Sequence, residues 1–269
     1  MDIIASRKNP LCVHLKKLGE SRNYRSERGQ FLCDGIKLLE EAVGYGATIH
    51  DVLTTSGIEI PVPPETRVYK VGQDLLDSIS PLKNAQDILF SCAIPNEPDS
   101  VIKSGTHILL DRLQDPGNVG TIIRTANAFG VSSVILTENS ADPYNPKAVR
   151  ASMGAVFRQD IRHMSVMDIS ERFEKKRKDS GFSACIGSGI RLLGASTDPG
   201  SKSVLDVDLN DSIIAIGSEG GGLSMQIAGL CDEMLTIPMA PGCESVNAAV
   251  AAAIIMWEAR RGKLKVESR

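Results

Sequence analysis

HILLDRLQDPGNVGTIIRTANAFGVSSVIL, residues 107–136, decides how this chain folds. His107–Leu110 is a short apolar run and reads as a buried strand, while Val119–Phe129 carries helical spacing and Ser133–Leu136 is a second short apolar run. A strand, a helix and a strand within roughly 30 residues form a βαβ unit, whose two strands must run parallel.

The alternation extends both ways. Downstream, strands are expected at Ser183–Ile186, Ile213–Ile216 and Met234–Ile237, with helices at Pro146–Met153, Asp168–Lys178, Ser224–Leu230 and Asn247–Arg260. Such repeats predict a parallel sheet covered by helices on both faces. On the last helix Val250, Ile254 and Trp257 share one stripe, which is expected to face the core. Upstream, Asn9 followed by Pro10 signals a helix start. FLCD at 31–34 reads as a strand and Gly35–Val43 as a helix; strands at 50–55, Val68–Val71 and Asp87–Cys92 and a helix at Asp74–Ile79 follow. IPNEPDS at 94–100 has the composition of a linker. The expected organisation is therefore an α/β domain at 1–95, a linker at 96–104 and a second α/β domain at 105–269.

Composition bounds the function. Of 269 residues 42% are hydrophobic and 23% charged, which excludes a largely disordered chain and a collagen-like one. The longest apolar run, Ala248–Trp257, is about half of the roughly 20 residues needed to cross a bilayer, and MDIIASRKNP lacks an apolar signal region. A cytoplasmic protein without membrane partners is expected. Cys12, Cys33, Cys92, Cys185, Cys231 and Cys243 include no C-x-x-C pair, and His14, His50, His107 and His163 are scattered, so no metal is expected and the thiols should be reduced and mostly buried. A net charge of −3 excludes a polycation holding nucleic acid by charge alone. Local basic excess lies in the first forty residues, at Arg7, Lys8, Lys16, Lys17, Arg22, Arg25, Arg28 and Lys37.

Two glycine motifs are decoys. GSGIRLLG at 187–194 puts its third glycine two positions too late for a dinucleotide fingerprint, which removes the main support for a Rossmann dehydrogenase. GASTDPGSKS at 194–203 has the wrong spacing and order for a phosphate loop. Three other stretches lie where a strand ends, the edge at which open parallel sheets bind ligands. In the first, DPGN leads into a helix, with Asn118 read as the cap of its first turn and Arg124 on the second. In the second, IIAIGSEGGGLS at 213–224, glycines let backbone approach a ligand closely, and Glu219 is a carboxylate in need of a donor. In the third, Ile237-Pro238 ends a strand, and Ser245 and Asn247 precede a helix that one of them should cap.

N-x-G-x-x-x-R at 118–124, G-x-E-x-x-G at 217–222, and I-P-M followed by S-V-N at 237–247, in that order, resemble the three motifs of the SpoU (TrmH-like) branch of the SPOUT RNA methyltransferases. The resemblance covers residues 105–261, including RASMGAVF at 150–157, and extends less specifically to FLCDGIKLLEEA, which is similar to the family's L30e-like RNA-binding domain. It implies a C-terminal trefoil knot, S-adenosylmethionine as cofactor, methylation of a ribose 2′-hydroxyl in RNA, and a homodimer built through the knotted domain. Backbone at Gly217, Ile237 and Val246 would hold the cofactor; Asn118, Arg124, Glu219, Ser245 and Asn247 would surround the ribose, with Asn118 and Glu219 orienting Arg124. Arg124 is expected to clamp a phosphate rather than act as the base, because a guanidinium is a poor proton acceptor. Arg7, Lys8, Lys16, Lys17, Arg22, Lys147 and Arg150 are the candidate RNA contacts. Ribosomal RNA is preferred over transfer RNA; a base-methylating enzyme and a non-catalytic RNA-binding module are the rival readings.

Overall fold

The computed structural model describes residues 2–81, 86–96, 102–178 and 189–267. The chain begins with β1 (Asp2–Ile4), α1 (Pro10–Glu20), α2 (Arg22–Arg28), β2 (Gln30–Asp34), α3 (Ile36–Gly44), β3 (Ile49–Thr54), β4 (Arg67–Val71), α4 (Gln73–Ile79) and β5 (Ile88–Ala93). Asn9 starts α1 as its spacing predicts, the side chain accepting from Leu11 N at 2.9 Å with Pro10 in the first turn. The strands form one sheet in the order β1-β4-β3-β5-β2, with β5 antiparallel to both its neighbours. Leu15, Leu18, Leu32, Leu53, Leu76 and Leu89 are buried between this sheet and its helices.

Next come β6 (Thr106–Leu110), α5 (Pro116–Phe129), β7 (Ser133–Leu136), α6 (Pro146–Ser152), β8 (Ile161–His163), α7 (Val166–Lys178) and β9 (Arg191–Ala195). β10 (Lys202–Ser203), β11 (Ser212–Ile216), α8 (Met225–Leu230), β12 (Glu233–Thr236) and α9 (Ala248–Glu267) complete the chain. Seven strands make the second sheet, in the order β10-β12-β9-β11-β6-β7-β8, and every pair is parallel. β6, β7 and β11 are buried along their whole length, as strands covered on both faces must be.

The expected strand at 183–186 lies outside the described residues. Other local readings need correction, the first being that β9 lies inside the stretch with the misplaced glycine. Gly194 serves packing there: a methyl on it would come within 2.6 Å of Met234 Sδ and 2.9 Å of Cys231 Sγ. β8 and β10 are too short to show alternation. On α9 the stripe expected to face inward faces out: Val250 is 48%, Ile254 38% and Trp257 49% exposed, while Ala249, Ala252, Ile255 and Met256 are buried. Ala248–Trp257 is apolar all round, so periodicity could not choose the inner face; the alanines pack inside because α9 lies close on α5.

The described residues pack as two units, Met1–Asn96 with Asp142–Arg158, and Glu97–Ala141 with Gln159–Arg269. In the first unit the segment carrying α6 is tied down by aromatic packing of Phe31 on Tyr144 at 5.0 Å and on Phe157 at 6.0 Å between ring centroids. Arg25, read from sequence as basic surface, is only 2% exposed. Its Nε and Nη2 both lie 2.7 Å from Asp142 Oδ2, and Nη1 donates to Leu18 O at 2.6 Å. A charge that deep is tolerated because its partners replace water. No helix among the described residues is long and apolar enough to cross a membrane.

Arg25→Met should therefore destabilise the protein by about 3–5 kcal/mol, since it strands the Asp142 carboxylate, and Arg25→Met with Asp142→Leu should recover most of that loss. Denaturant unfolding of both variants checks this; equal stability of Arg25→Met and wild type would contradict it.

Candidate active site

Three strand ends of the parallel sheet converge at its C-terminal edge. β6 runs out through Asp111 towards α5, β11 through a glycine turn into α8, and β12 through the segment 237–247 into α9.

The glycine turn is closed on itself. Ser218 N donates to Gly222 O at 3.0 Å and Gly222 N to Ser218 O at 2.9 Å, with Gly222 at φ +59. A methyl on Gly217 would stand 2.1 Å from Gly222 C and 2.3 Å from Leu223 N, so the turn itself requires glycine there. Its far end is held by a residue the sequence reading passed over. Asp111 is fully buried, and its Oδ2 accepts from Ser224 N at 2.6 Å, just where Ser224 caps α8. An acid directly after the apolar run of β6 was the available signal.

Asn118 does not cap α5. Asp115 does, its Oδ1 accepting from Asn118 N at 2.8 Å, because Pro116 starts the helix earlier, at a position where a missing N–H costs nothing. The Asn118 side chain is thereby released, and its Nδ2 donates to Glu219 Oε1 at 2.6 Å. Asn247 is the cap of the third stretch: its Oδ1 accepts from Ala249 N at 2.9 Å and Val250 N at 3.3 Å. Its Nδ2 donates to Asn118 Oδ1 at 3.2 Å. Hydrogen bonds thus run in one direction, from the first-turn amides of α9 through two side-chain amides to the Glu219 carboxylate, and each link polarises the next. Residues separated by over a hundred positions meet in this chain.

Beside it opens a cleft of about 510 Å³ lined by Gly217, Glu219, Ile237, Met239, Ser245 and Val246, among others. That volume suits a small-molecule ligand, and its walls combine apolar side chains with backbone at the ends of β11 and β12. All three residues expected to hold the cofactor, and two of those expected around the ribose, therefore share one cleft wall.

Arg124 stands apart. Six residues beyond Asn118, it points about 120° round the helix axis from it. It is exposed, and makes no hydrogen bond or ion pair among the described residues, so neither Asn118 nor Glu219 orients it within this chain. Arg7, Lys8, Lys16, Lys17, Arg22, Lys147 and Arg150 are all exposed and all belong to the other unit. Lys16 lies 3.9 Å from Glu20, and Lys17 sits over the Tyr24 ring at 5.5 Å. Among the described residues no cluster of His, Cys, Asp and Glu could hold a metal ion.

Comparison with known proteins bears on this geometry. The family model of the SpoU rRNA methylases matches residues 105–257, and that of the MRM3-like substrate-binding domain matches residues 9–89. The 23S rRNA (guanosine(2553)-2′-O)-methyltransferase RlmP of Bacillus subtilis is 29% identical over 97% of this chain and 100% of its own. The 23S rRNA (uridine(2479)-2′-O)-methyltransferase of Streptomyces viridochromogenes is 31% identical over 91% of this chain and 87% of its own. Among solved structures, the SpoU methyltransferase AviRb from Streptomyces viridochromogenes in complex with the cofactor AdoMet matches with a TM-score of 0.81 and 29% identity, covering 96% of this chain and 99% of that one. With more than half of its length inside the first model and relatives aligned nearly end to end, the chain belongs to the SpoU rRNA methylase family.

Proposed function

We propose that this protein is an S-adenosylmethionine-dependent methyltransferase that modifies a ribose 2′-hydroxyl in ribosomal RNA, in the cytoplasm. The observation that carries the reading is the Asn247–Asn118–Glu219 chain at the rim of the cleft lined by Gly217, Ile237 and Val246. The two relatives named as 23S rRNA 2′-O-methyltransferases and the AdoMet-bound AviRb support it.

Backbone at Gly217, Ile237 and Val246 would hold a ligand with an adenine and an amino-acid end, because these residues line a cleft with apolar walls. When bound, S-adenosylmethionine supplies a methyl group on a positively charged sulfur. In-line transfer requires the protein chiefly to align the reacting oxygen. Asn118 occupies Glu219 Oε1, which fixes the carboxylate and leaves Oε2 to accept from a ribose hydroxyl. Asn247 sets the orientation of Asn118 while capping α9, and Ser245 shapes the loop between them. Arg124 grips the phosphate next to the reacting hydroxyl and stabilises the developing oxyanion.

The free state of Arg124 and the outward stripe of α9 point to a second copy of this chain. Trp257 packs on the half-buried Phe129 of α5 at 5.7 Å between ring centroids, so the apolar stripe of α9 meets α5 at its edge. We read this face as the homodimer interface and Arg124 as completing the partner's site. The trefoil knot, with the C-terminal segment tucked through a loop, and a division into an RNA-gripping domain at 1–95, a linker at 96–104 and a catalytic domain at 105–269 belong to the same proposal. Arg7, Lys8, Lys16, Lys17, Arg22, Lys147 and Arg150 supply the grip.

Incubating in vitro transcribed 23S ribosomal RNA with the protein and S-adenosylmethionine should leave one linkage resistant to alkali; a methylated base with every linkage still cleavable would refute the 2′-hydroxyl as target. Glu219→Ala should lower kcat by about a hundredfold while leaving the calorimetric affinity for the cofactor nearly unchanged. Parallel loss of both would place Glu219 in the cofactor site instead. Arg124→Ala and Asn247→Ala should each be inactive, and their equimolar mixture after subunit exchange should regain about a quarter of the intact sites. No recovery despite demonstrated exchange would contradict the shared site.

A further inference from the structure

Three non-glycine residues among those described have positive φ: Arg112 at +58, Met153 at +48 and Asp211 at +43. Met153 is the left-handed cap that ends α6, an ordinary place for one. Asp211 has the short polar side chain that tolerates this region, and its Oδ1 accepts from Gly105 N at 2.7 Å. Arg112 has neither reason. Its conformation is enforced from both sides: its N–H donates to Thr137 Oγ1 at 3.1 Å, and its carbonyl accepts from Gln114 Nε2 at 3.1 Å. Strain that the surroundings hold in place concentrates at functional sites.

The left-handed turn sends the side chain to the glycine turn, where a methyl built on Gly221 would meet Arg112 Nη2 at 3.9 Å. There the guanidinium pairs with nothing among the described residues. Nε is shut off from solvent without an acceptor, and no carboxylate among the described residues forms an ion pair with Arg112. Asp111, its neighbour, spends one oxygen on Ser224 instead. Arg112 is also absent from the lining of the cofactor cleft, which sets it apart from the residues expected to hold the cofactor. Its terminal nitrogens are left available to an anion that approaches the glycine turn. Gly220 and Gly221, which carry no side chain to obstruct that approach, are exposed beside it and adjoin Glu219.

We propose that Arg112 binds a backbone phosphate of the RNA substrate beside the glycine turn. This rests on the function proposed above for the nature of the substrate. A planar guanidinium held by its backbone presents two parallel donors to a phosphate, and such pairing is far stronger when the side chain is already positioned. Arg112 would then help to seat the RNA strand at the site while Arg124 serves the reacting nucleotide.

The test uses Arg112→Gly in the full chain. Glycine adopts φ +58 without strain, so the variant should melt at or above the wild-type temperature. Its affinity for in vitro transcribed 23S ribosomal RNA should fall about tenfold. The slope of log affinity against log salt should shrink by about one, and S-adenosylmethionine affinity should stay within about twofold of wild type. Arg112→Lys should recover part of the RNA affinity and the slope. Unchanged RNA affinity and slope in Arg112→Gly would overturn the proposal, as would a proportionate loss of cofactor affinity. If the wild type methylates RNA and Arg112→Gly binds it equally well, only this inference fails. If the wild type transfers no methyl but loses its RNA affinity on Arg112→Gly, the proposed activity fails and this inference stands.

Discussion

The Asn118 side-chain amide is the joint on which the rest depends. It gives its N–H to Glu219 and its carbonyl to Asn247, and so ties the helix after β6 to the turn after β11 and to the start of α9. An amide can do this because it carries a donor and an acceptor on one rigid plane; a carboxylate in its place could only accept, and would set two negative charges against each other. Asn247 is constrained in turn, since its oxygen is committed to the first turn of α9 and only its nitrogen can reach Asn118. The orientation of each amide therefore follows from the helix end behind it.

Such a chain needs rigid supports, and the parallel sheet supplies them. β6 and β11 are adjacent strands, so their C-terminal ends deliver Asp111 and Gly217 to the same edge. Asp111 anchors the exit of the glycine turn at Ser224, while Gly217 lets the turn fold back on its own backbone. Between these fixed points Glu219 stands exposed at the tip, aimed among the described residues by Asn118 alone. Ile237, Ser245 and Val246 close the adjoining cleft from the β12 side. The stable part of the site is thus hydrogen-bonded within one chain, whereas Arg124, the arginine of the first motif, has no partner among the described residues.

Much of this was legible from the residues, and the failures have physical causes. The strands β6, β7 and β11 announced themselves because a strand covered on both faces is a continuous apolar run. β8 and β10 are too short to carry a pattern, and β9 contains Gly194, whose role is to admit two sulfur atoms rather than to turn the chain. Gly217, Glu219 and Asn247 stood out because glycines and polar groups at a strand end are hard to explain by packing. Asn118 was singled out as a helix cap, but Asp115 and Pro116 together are the stronger start signal, which is why Asn118 is free to take part in the network. The inner face of α9 was illegible because its apolar run has no polar side, and Arg25 was misread because nothing local tells a buried arginine from a solvated one.

The central claim is that Asn118 and Glu219 act as one unit, and a double-mutant cycle in kcat tests it most directly. Asn118→Ala, Glu219→Ala and the double variant would be compared in single-turnover methyl transfer to ribosomal RNA, each with its cofactor affinity measured alongside. If the two side chains act through their shared hydrogen bond, the double variant should be no slower than the slower single variant. Independent contributions, with the two losses multiplying in the double variant, would contradict the account.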